Sequence, residues 1–256
     1  MTSLLSGRSA IVTGAGSGIG RDLALSLAAA GARVGVGVRR IETGEETVAM
    51  VTAAGGEALP IALDVTDDRV IASAVPTIAD RFGGIDIVIH NANNAASALP
   101  TAAMEITPES WDAQAAVTLQ GAFAMAKSCH PYLRASGRGR FVVMTSAFGY
   151  HGAAMNTIYA AQKSSFRGLI KSLAREWGGD EITVNSIAPA AATEATRLFF
   201  DQNPPCKAAY LRKFPLGRMG DPRADIAEAA VALCSDALSY MTGQTLFMDG
   251  GLYPSA

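Results

Sequence analysis

The sequence predicts an α/β fold filling one domain over residues 1–256: an open, doubly wound parallel sheet of about seven strands with helices on both faces. Three observations predict it. Short runs rich in Val and Ile alternate with longer segments of helical period. A glycine-rich turn joins the first such run to the first helical segment. No linker, repeat or low-complexity tract breaks the alternation over 256 residues, a length that one large α/β unit can fill.

Ser9 to Thr13 is the first strand, and Arg21-Asp22-Leu23-Ala24 opens a helix soon after it. Arg33 to Val38, Glu57 to Ala62 and Ile85 to His90 are the next three strands, each a short apolar run. Before the fourth, Arg69 to Phe82 sets Val70, Ile71, Ala74, Val75, Ile78 and Phe82 at three-and-four spacing, one apolar stripe that faces a sheet. Thr107-Pro108-Glu109 opens another helix, predicted to reach about Ser136: Thr caps, Pro suits the first turn, and Glu faces the positive end of the dipole. Arg140 to Thr145, Ile182 to Ile187 and Gln244 to Met248 complete the strands. Strand and helix in alternation require right-handed crossovers and parallel strands, and such a sheet must be covered on both faces. The stretch from Ala190 to about Pro222, with Pro204, Pro205 and Pro215, reads as irregular and as a substrate-covering lid over residues 190–222.

Composition excludes several classes of function. With 49% hydrophobic and 17% charged residues the chain is too apolar to remain disordered. A net charge of −2 leaves no excess of Lys and Arg for nucleic acid or an anionic bilayer. Three scattered cysteines argue for free thiols in a reducing compartment, and three isolated histidines without HExxH spacing argue against a metal. No run of about 18 apolar residues is present, and Met1 to Ala10 does not read as a signal peptide, so a cytoplasmic location is expected.

The turn after the first strand is Thr13-Gly14-Ala15-Gly16-Ser17-Gly18-Ile19-Gly20. Glycines there let backbone N–H groups approach a pyrophosphate at a helix N-terminus, where the dipole favours negative charge. Glycines also serve plain tight turns, but a strand before, a helix after and a second strand beyond supply the context of a nucleotide site. Glycines 14, 18 and 20 form TGxxxGxG. Together with Leu63-Asp64-Val65, Asn91-Ala92, Tyr159-Ala160-Ala161-Gln162-Lys163, Val184-Asn185-Ser186-Ile187-Ala188-Pro189, Gly217-Arg218-Met219-Gly220, Thr242-Gly243-Gln244 and Asp249-Gly250-Gly251, this pattern resembles the short-chain dehydrogenase/reductase family over nearly the whole chain. The resemblance implies a Rossmann-type sheet and a nicotinamide cofactor held by Gly14, Ser17, Gly18, Ile19 and Gly20. It further implies Asp64 and Val65 at the adenine, Asn91 and Ala92 along the nucleotide, and Pro189 and Thr193 after the sixth strand.

At the end of the second strand, where an acid would hold the ribose 2′-OH, the sequence has Val38 followed by Arg39 and Arg40. A guanidinium there can pair a 2′-phosphate, so NADP(H) is favoured over NAD(H). Tyr159 and Lys163 stand four apart on a helical segment and share a face. An ammonium beside a phenol favours phenolate, which equips Tyr159 as the acid/base group. By resemblance Ser146, 13 residues earlier, steadies the substrate oxygen, and Lys163 also holds the nicotinamide ribose. The family usually has Asn where this chain has Thr118, a residue that supports a water relaying protons to the lysine; Thr has no amide fork. Phe148, Tyr150 and His151 after Ser146, with Leu198, Phe199, Phe200 and Tyr210 in the lid, are expected to face substrate and suggest a hydrophobic ketone or secondary alcohol. Arg212 and Lys213 offer charge to an anionic carrier. The reading is an NADP(H)-preferring oxidoreductase on such substrates. A 3-oxoacyl-thioester reductase and a catalytically silent cofactor sensor are its alternatives, and the resemblance implies a homotetramer or homodimer.

Overall fold

The structure, a computed structural model, describes residues 3–253, without the side chains of Ala98, Glu194, Ala195 and Phe199. Seven strands, β1 (Ser9–Thr13), β2 (Arg33–Val38), β3 (Glu57–Ala62), β4 (Ile87–His90), β5 (Arg140–Met144), β6 (Thr183–Pro189) and β7 (Thr245–Met248), form one sheet in the order β3-β2-β1-β4-β5-β6-β7. Every neighbouring pair is parallel. The chain winds outward from β1 in one direction and resumes at β4 in the other. The switch point therefore lies between β1 and β4, the place where such sheets open a crevice at their carboxyl ends.

Alternation along the strands splits the core in two. Ala10, Val12, Ile87 and Ile89 face a cluster completed by helices α1 (Gly18–Ala29) and α2 (Ile41–Ala53). Ile11, Val88, Val143 and Val184 face a second, completed by α3 (Asp68–Phe82) and, further along the chain, by two long helices. The predicted α3 stripe is buried at Ile71, Ala74, Val75, Ile78 and Phe82; Asp67 caps its start and Gly83, at φ 77°, ends it. Thr107 does open the next helix, α4 (Pro108–Ala115), in a capping box with Ser110. A π-turn, Ala116–Gln120, then joins α4 to α5 (Gly121–Ala135), so the single helix expected to about Ser136 is divided by one widened turn.

Beyond β5 come the one-turn α6 (Phe148–His151) and the long α7 (Thr157–Trp177). The stretch 190–222, expected to be irregular, instead holds two helices, α8 (Glu194–Gln202) and α9 (Pro204–Leu211). Pro204 and Pro205 occupy the first positions of α9, where a missing N–H costs nothing. A second π-turn, Pro222–Ala227, leads into α10 (Glu228–Cys234), which packs on the α1 face. Among the described residues, no helix is long and apolar enough to cross a membrane.

Candidate active site

Two clefts flank the carboxyl ends of the central strands. The first, about 510 Å³, lies over the switch point; Gly14, Ser17, Ile19 and Gly20 form its floor, Arg39 and Arg40 one end, and Asp64, Val65, Asn91, Ala92 and Thr193 its sides. Close packing requires the glycines. A Cβ on Gly20 would stand 2.2 Å from the Gly14 carbonyl oxygen, and Gly14 itself has φ 65°. Gly18, at φ 53°, begins α1 directly behind this loop. Asn91 ties the loop down, its Nδ2 donating to the carbonyls of Thr13 at 3.2 Å and Gly14 at 3.1 Å.

The first turn of α1 contains no acidic residue, and the Ser17 hydroxyl caps none of its N–H groups. Those donors and the helix dipole suit a phosphate, and the glycine loop leaves backbone room for one. The residues present thus fit a dinucleotide. Arg39 and Arg40 are exposed and, among the described residues, neither has an acidic partner; Glu46 on the same wall is already paired to Arg21 at 2.8 Å. The sequence reading missed Arg21, Thr43, Glu46 and Val117 as groove residues. Arg21 had a visible signal, a cation one residue after the glycine motif. The others reach the groove only through tertiary packing.

The second cleft, about 560 Å³, is mainly apolar. Ser146 and Phe148 stand at one end, α8 and α9 supply Phe200 and Tyr210, and Met219 and Leu252 close the far side. Pro189, expected at the cofactor, lines this cleft and not the first. Lys213 lies at its rim, 6.0 Å from the centre of the Tyr210 ring. Of the lid residues expected to face substrate, Phe200 and Tyr210 line the cleft, Leu198 does not, and the side chain of Phe199 falls outside the described residues. Tyr150 and His151, expected to face substrate, are not among the residues that line the cleft: the Tyr150 hydroxyl bonds Thr245 of β7, and the His151 ring stacks at 4.4 Å on Tyr253, which does line it.

Tyr159 lines neither cleft; it stands behind the second, in T-shaped contact at 6.3 Å with Phe148, which does line it. Burial pushes its phenol above the usual range, and the adjoining Ser146 hydroxyl draws it part of the way back. The ammonium effect expected from the four-residue spacing is missing. Lys163 is buried, its Nζ donates to the Met144 carbonyl at 2.9 Å and lies 5.6 Å from the centre of the Tyr159 ring, so it reaches toward β5 and not the phenol. Burial pulls the Lys163 amine down to about 8. Thr145, the other hydroxyl at the end of β5, is committed to the Lys163 carbonyl at 2.9 Å, which leaves Ser146 as the one facing the cleft. Thr118 lies in the π-turn, 2% exposed, with its hydroxyl 3.5 Å from Asn93 Oδ1.

Comparison with known proteins agrees with this arrangement. A family model described as "Enoyl-(Acyl carrier protein) reductase" matches residues 14–253. The chain is 36% identical over 248 residues to the 3-oxoacyl-[acyl-carrier-protein] reductase FabG of Escherichia coli (strain K12), covering 96% of this chain and 98% of the relative. Among solved structures, 7α-hydroxysteroid dehydrogenase complexed with NADH and 7-oxo glycochenodeoxycholic acid superposes with a TM-score of 0.90 at 29% identity, covering 98% of this chain and 96% of that one. A short-chain type dehydrogenase/reductase from Mycobacterium marinum gives 0.88 at 30% identity, with 99% and 98% coverage. Matched in fold and along nearly its full length, this chain belongs to the short-chain dehydrogenase/reductase family of NAD(P)-dependent oxidoreductases.

Proposed function

We propose that this protein is an NADP(H)-preferring oxidoreductase that transfers hydride between a nicotinamide and a hydrophobic ketone or secondary alcohol, with Tyr159 as the acid/base group. The observation that carries this reading is Tyr159 beside Ser146 and against Phe148, both of which line an apolar cleft at the same sheet edge as a glycine-floored groove. Gly14, Ser17, Gly18, Ile19 and Gly20 would hold the pyrophosphate, Asp64, Val65, Asn91 and Ala92 the remaining nucleotide, and Arg39 with Arg40 a 2′-phosphate. When bound, the nicotinamide supplies the hydride to the ketone. Tyr159, protonated at neutral pH because burial raises its pKa, gives its proton to the substrate oxygen that Ser146 steadies. The Lys163 ammonium would favour the phenolate left behind only by swinging from the Met144 carbonyl toward it, and in alcohol oxidation the same phenolate takes the proton back.

A second reading is a 3-oxoacyl-thioester reductase. Lys213 at the cleft rim supports it, because among the described residues it has no acidic partner and is placed to meet the anionic end of a carrier-linked substrate. The half-exposed Trp111 and Phe123 on α4 and α5 support assembly as a homodimer or homotetramer.

The test is steady-state oxidation of NADPH and NADH against aliphatic, aryl, cyclic and thioester ketones, with Tyr159→Phe alongside. Turnover that prefers NADPH and falls by about 10²-fold or more in Tyr159→Phe supports the reading. Thioester turnover alone selects the second reading. Cofactor binding without oxidation of any substrate refutes both and returns the protein to the class of cofactor sensors.

A further inference from the structure

His90 ends β4 and is 1% exposed. Its protonation pattern follows from its neighbours. The Thr13 hydroxyl accepts from the backbone N–H of Asn91 at 3.1 Å and of Ala92 at 3.0 Å, which fills its lone pairs. The hydroxyl proton is then free only to donate, and the group within reach is His90 Nδ1 at 3.3 Å. Nδ1 is thus an acceptor, and the ring proton resides on Nε2. Among the described residues Nε2 has no hydrogen-bond partner of good geometry, although it is fully buried. The nearest acceptors are the backbone of Val117 and Thr118, in the π-turn between α4 and α5.

The same π-turn packs against the helix that carries Lys163. The His90 ring and Lys163 Nζ both flank Phe166, at 6.3 Å and 5.3 Å from its ring centre. Among the described residues the charge that bears on His90 is Lys163; Thr13, Phe166 and the π-turn around it are uncharged. A buried donor with two carbonyls before it is costly unless it is used, and a π-turn leaves helix carbonyls free of the regular ladder.

We propose that His90 is a positioning residue of the reaction: its Nε2–H, aimed at the 116–120 π-turn, holds that turn's carbonyl edge in place beside Lys163. The inference rests on the Tyr159 and Lys163 chemistry proposed above. Lys163 has one N–H committed to Met144 and two to spare. With the His90 donor removed, the freed carbonyls turn toward the ammonium, hold it away from the phenol and favour its charged form. The rate falls for want of a mobile ammonium, and the titration of Lys163 moves up.

Two arms test this on the full-length protein. The first is ¹⁵N-detected NMR of wild-type imidazoles, with His90 assigned by its disappearance in His90→Gln. A proton on Nε2 and none on Nδ1 from pH 8 to pH 6 is expected; a proton on Nδ1, or a charged ring at pH 6, overturns the proposal whatever the activity. The second compares ketone reduction by wild type, His90→Leu and His90→Gln. In His90→Leu, kcat falls about tenfold, the loss set by one buried hydrogen bond, while KM stays within about twofold. The alkaline limb of its kcat profile also moves to higher pH. His90→Gln, whose amide reaches near the position of Nε2, recovers most of kcat and the limb. A His90→Leu protein with wild-type kcat and limb refutes the proposal, as does a His90→Gln loss equal to that of His90→Leu. Should His90→Leu not fold, His90→Gln must still keep kcat and limb near wild type, and its failure to do so is a refutation. If wild type reduces no ketone at all, the proposed function fails, and the NMR arm alone decides the place of the His90 proton.

Discussion

Acid should destabilise this protein through His90, and the size of the effect follows from its burial. Desolvation, reinforced by the Lys163 charge, pulls the His90 imidazole down to about 3 from 6.5. Below pH 6.5 the unfolded chain takes up a proton that the folded chain refuses, so stability is lost as pH falls from 6.5 toward 3 and is unaffected above about 7. Each pH unit in that window costs about 1.4 kcal/mol, which makes roughly 2 kcal/mol between pH 6.5 and pH 5. Titrating carboxylates act in the same range, so the comparison needed is wild type against His90→Gln, in which they cancel. Urea unfolding of both proteins at pH 7.5 and pH 5, at one protein concentration, gives four stabilities. Wild type should lose about 2 kcal/mol more than His90→Gln over that interval. Equal losses would mean that the folded protein protonates His90 as readily as the unfolded chain does, and the burial argument, with the neutral ring that the tautomer requires, would fall.

Gly20→Ala should abolish tight cofactor binding and lower the melting temperature, because the new Cβ meets backbone oxygen at 2.2 Å and Asn91 Nδ2 at 2.5 Å; fluorescence titration with NADPH and a thermal melt check it. Arg39→Leu with Arg40→Leu should raise the Kd for NADPH by roughly 10- to 100-fold, the worth of one or two charge-assisted hydrogen bonds, and leave that for NADH within about threefold. Equal losses for the two cofactors would show that the arginines do not read the 2′-phosphate. Ketone reduction should be level at neutral pH and decline above about 8, because Lys163 loses its proton there and with it the charge that, once swung from the Met144 carbonyl, is proposed to favour the Tyr159 phenolate. A pH profile of kcat/KM checks it, and a rise in reduction through pH 8 would contradict the role given to the ammonium.

The strands were legible because a parallel sheet covered on both faces favours near-continuous apolar runs, and β1, β2 and even the half-exposed edge strand β3 match their sequence limits residue for residue. The glycine groove was legible for a related reason: its requirement falls on the backbone, and only glycine meets the approach of position 20 to the Gly14 carbonyl. Side-chain direction was harder. Phe148, Tyr150 and His151 look alike in sequence, but successive residues of α6 point about 100° apart, so Phe148 lines the cleft while the other two pack on Phe247 of β7. Spacing also overstated the Tyr159 and Lys163 pair. It sets where two Cβ atoms lie, whereas a lysine amine on four methylenes goes to the nearest good acceptor, here the Met144 carbonyl.

The lid shows the same limit from another side. Its prolines were read as breakers, yet Pro204 begins α9 for the reason that Pro108 begins α4, since each removes an N–H that has no helical partner. What separates opener from breaker is the residue pattern that follows, and Cys206 to Leu211 is too short and too small-sided to announce a helix without the Phe200 and Phe214 rings against which Tyr210 packs. The π-turn is the least legible element, because it adds one residue to an otherwise continuous helical pattern. It is also the element that connects Thr118 with His90. Thr118 lies within the turn, and His90 stands against it with a buried donor and no acceptor of good geometry. The resemblance implies an Asn at position 118 that supports a water relaying protons to the lysine; in this protein the proposed His90 donor is directed at the same turn from β4. Restoring the amide at 118 should therefore matter little while His90 is present, and more once His90 is leucine. Double-mutant kinetics of Thr118→Asn with His90→Leu measure that coupling, and strictly additive losses would show that the two residues act apart.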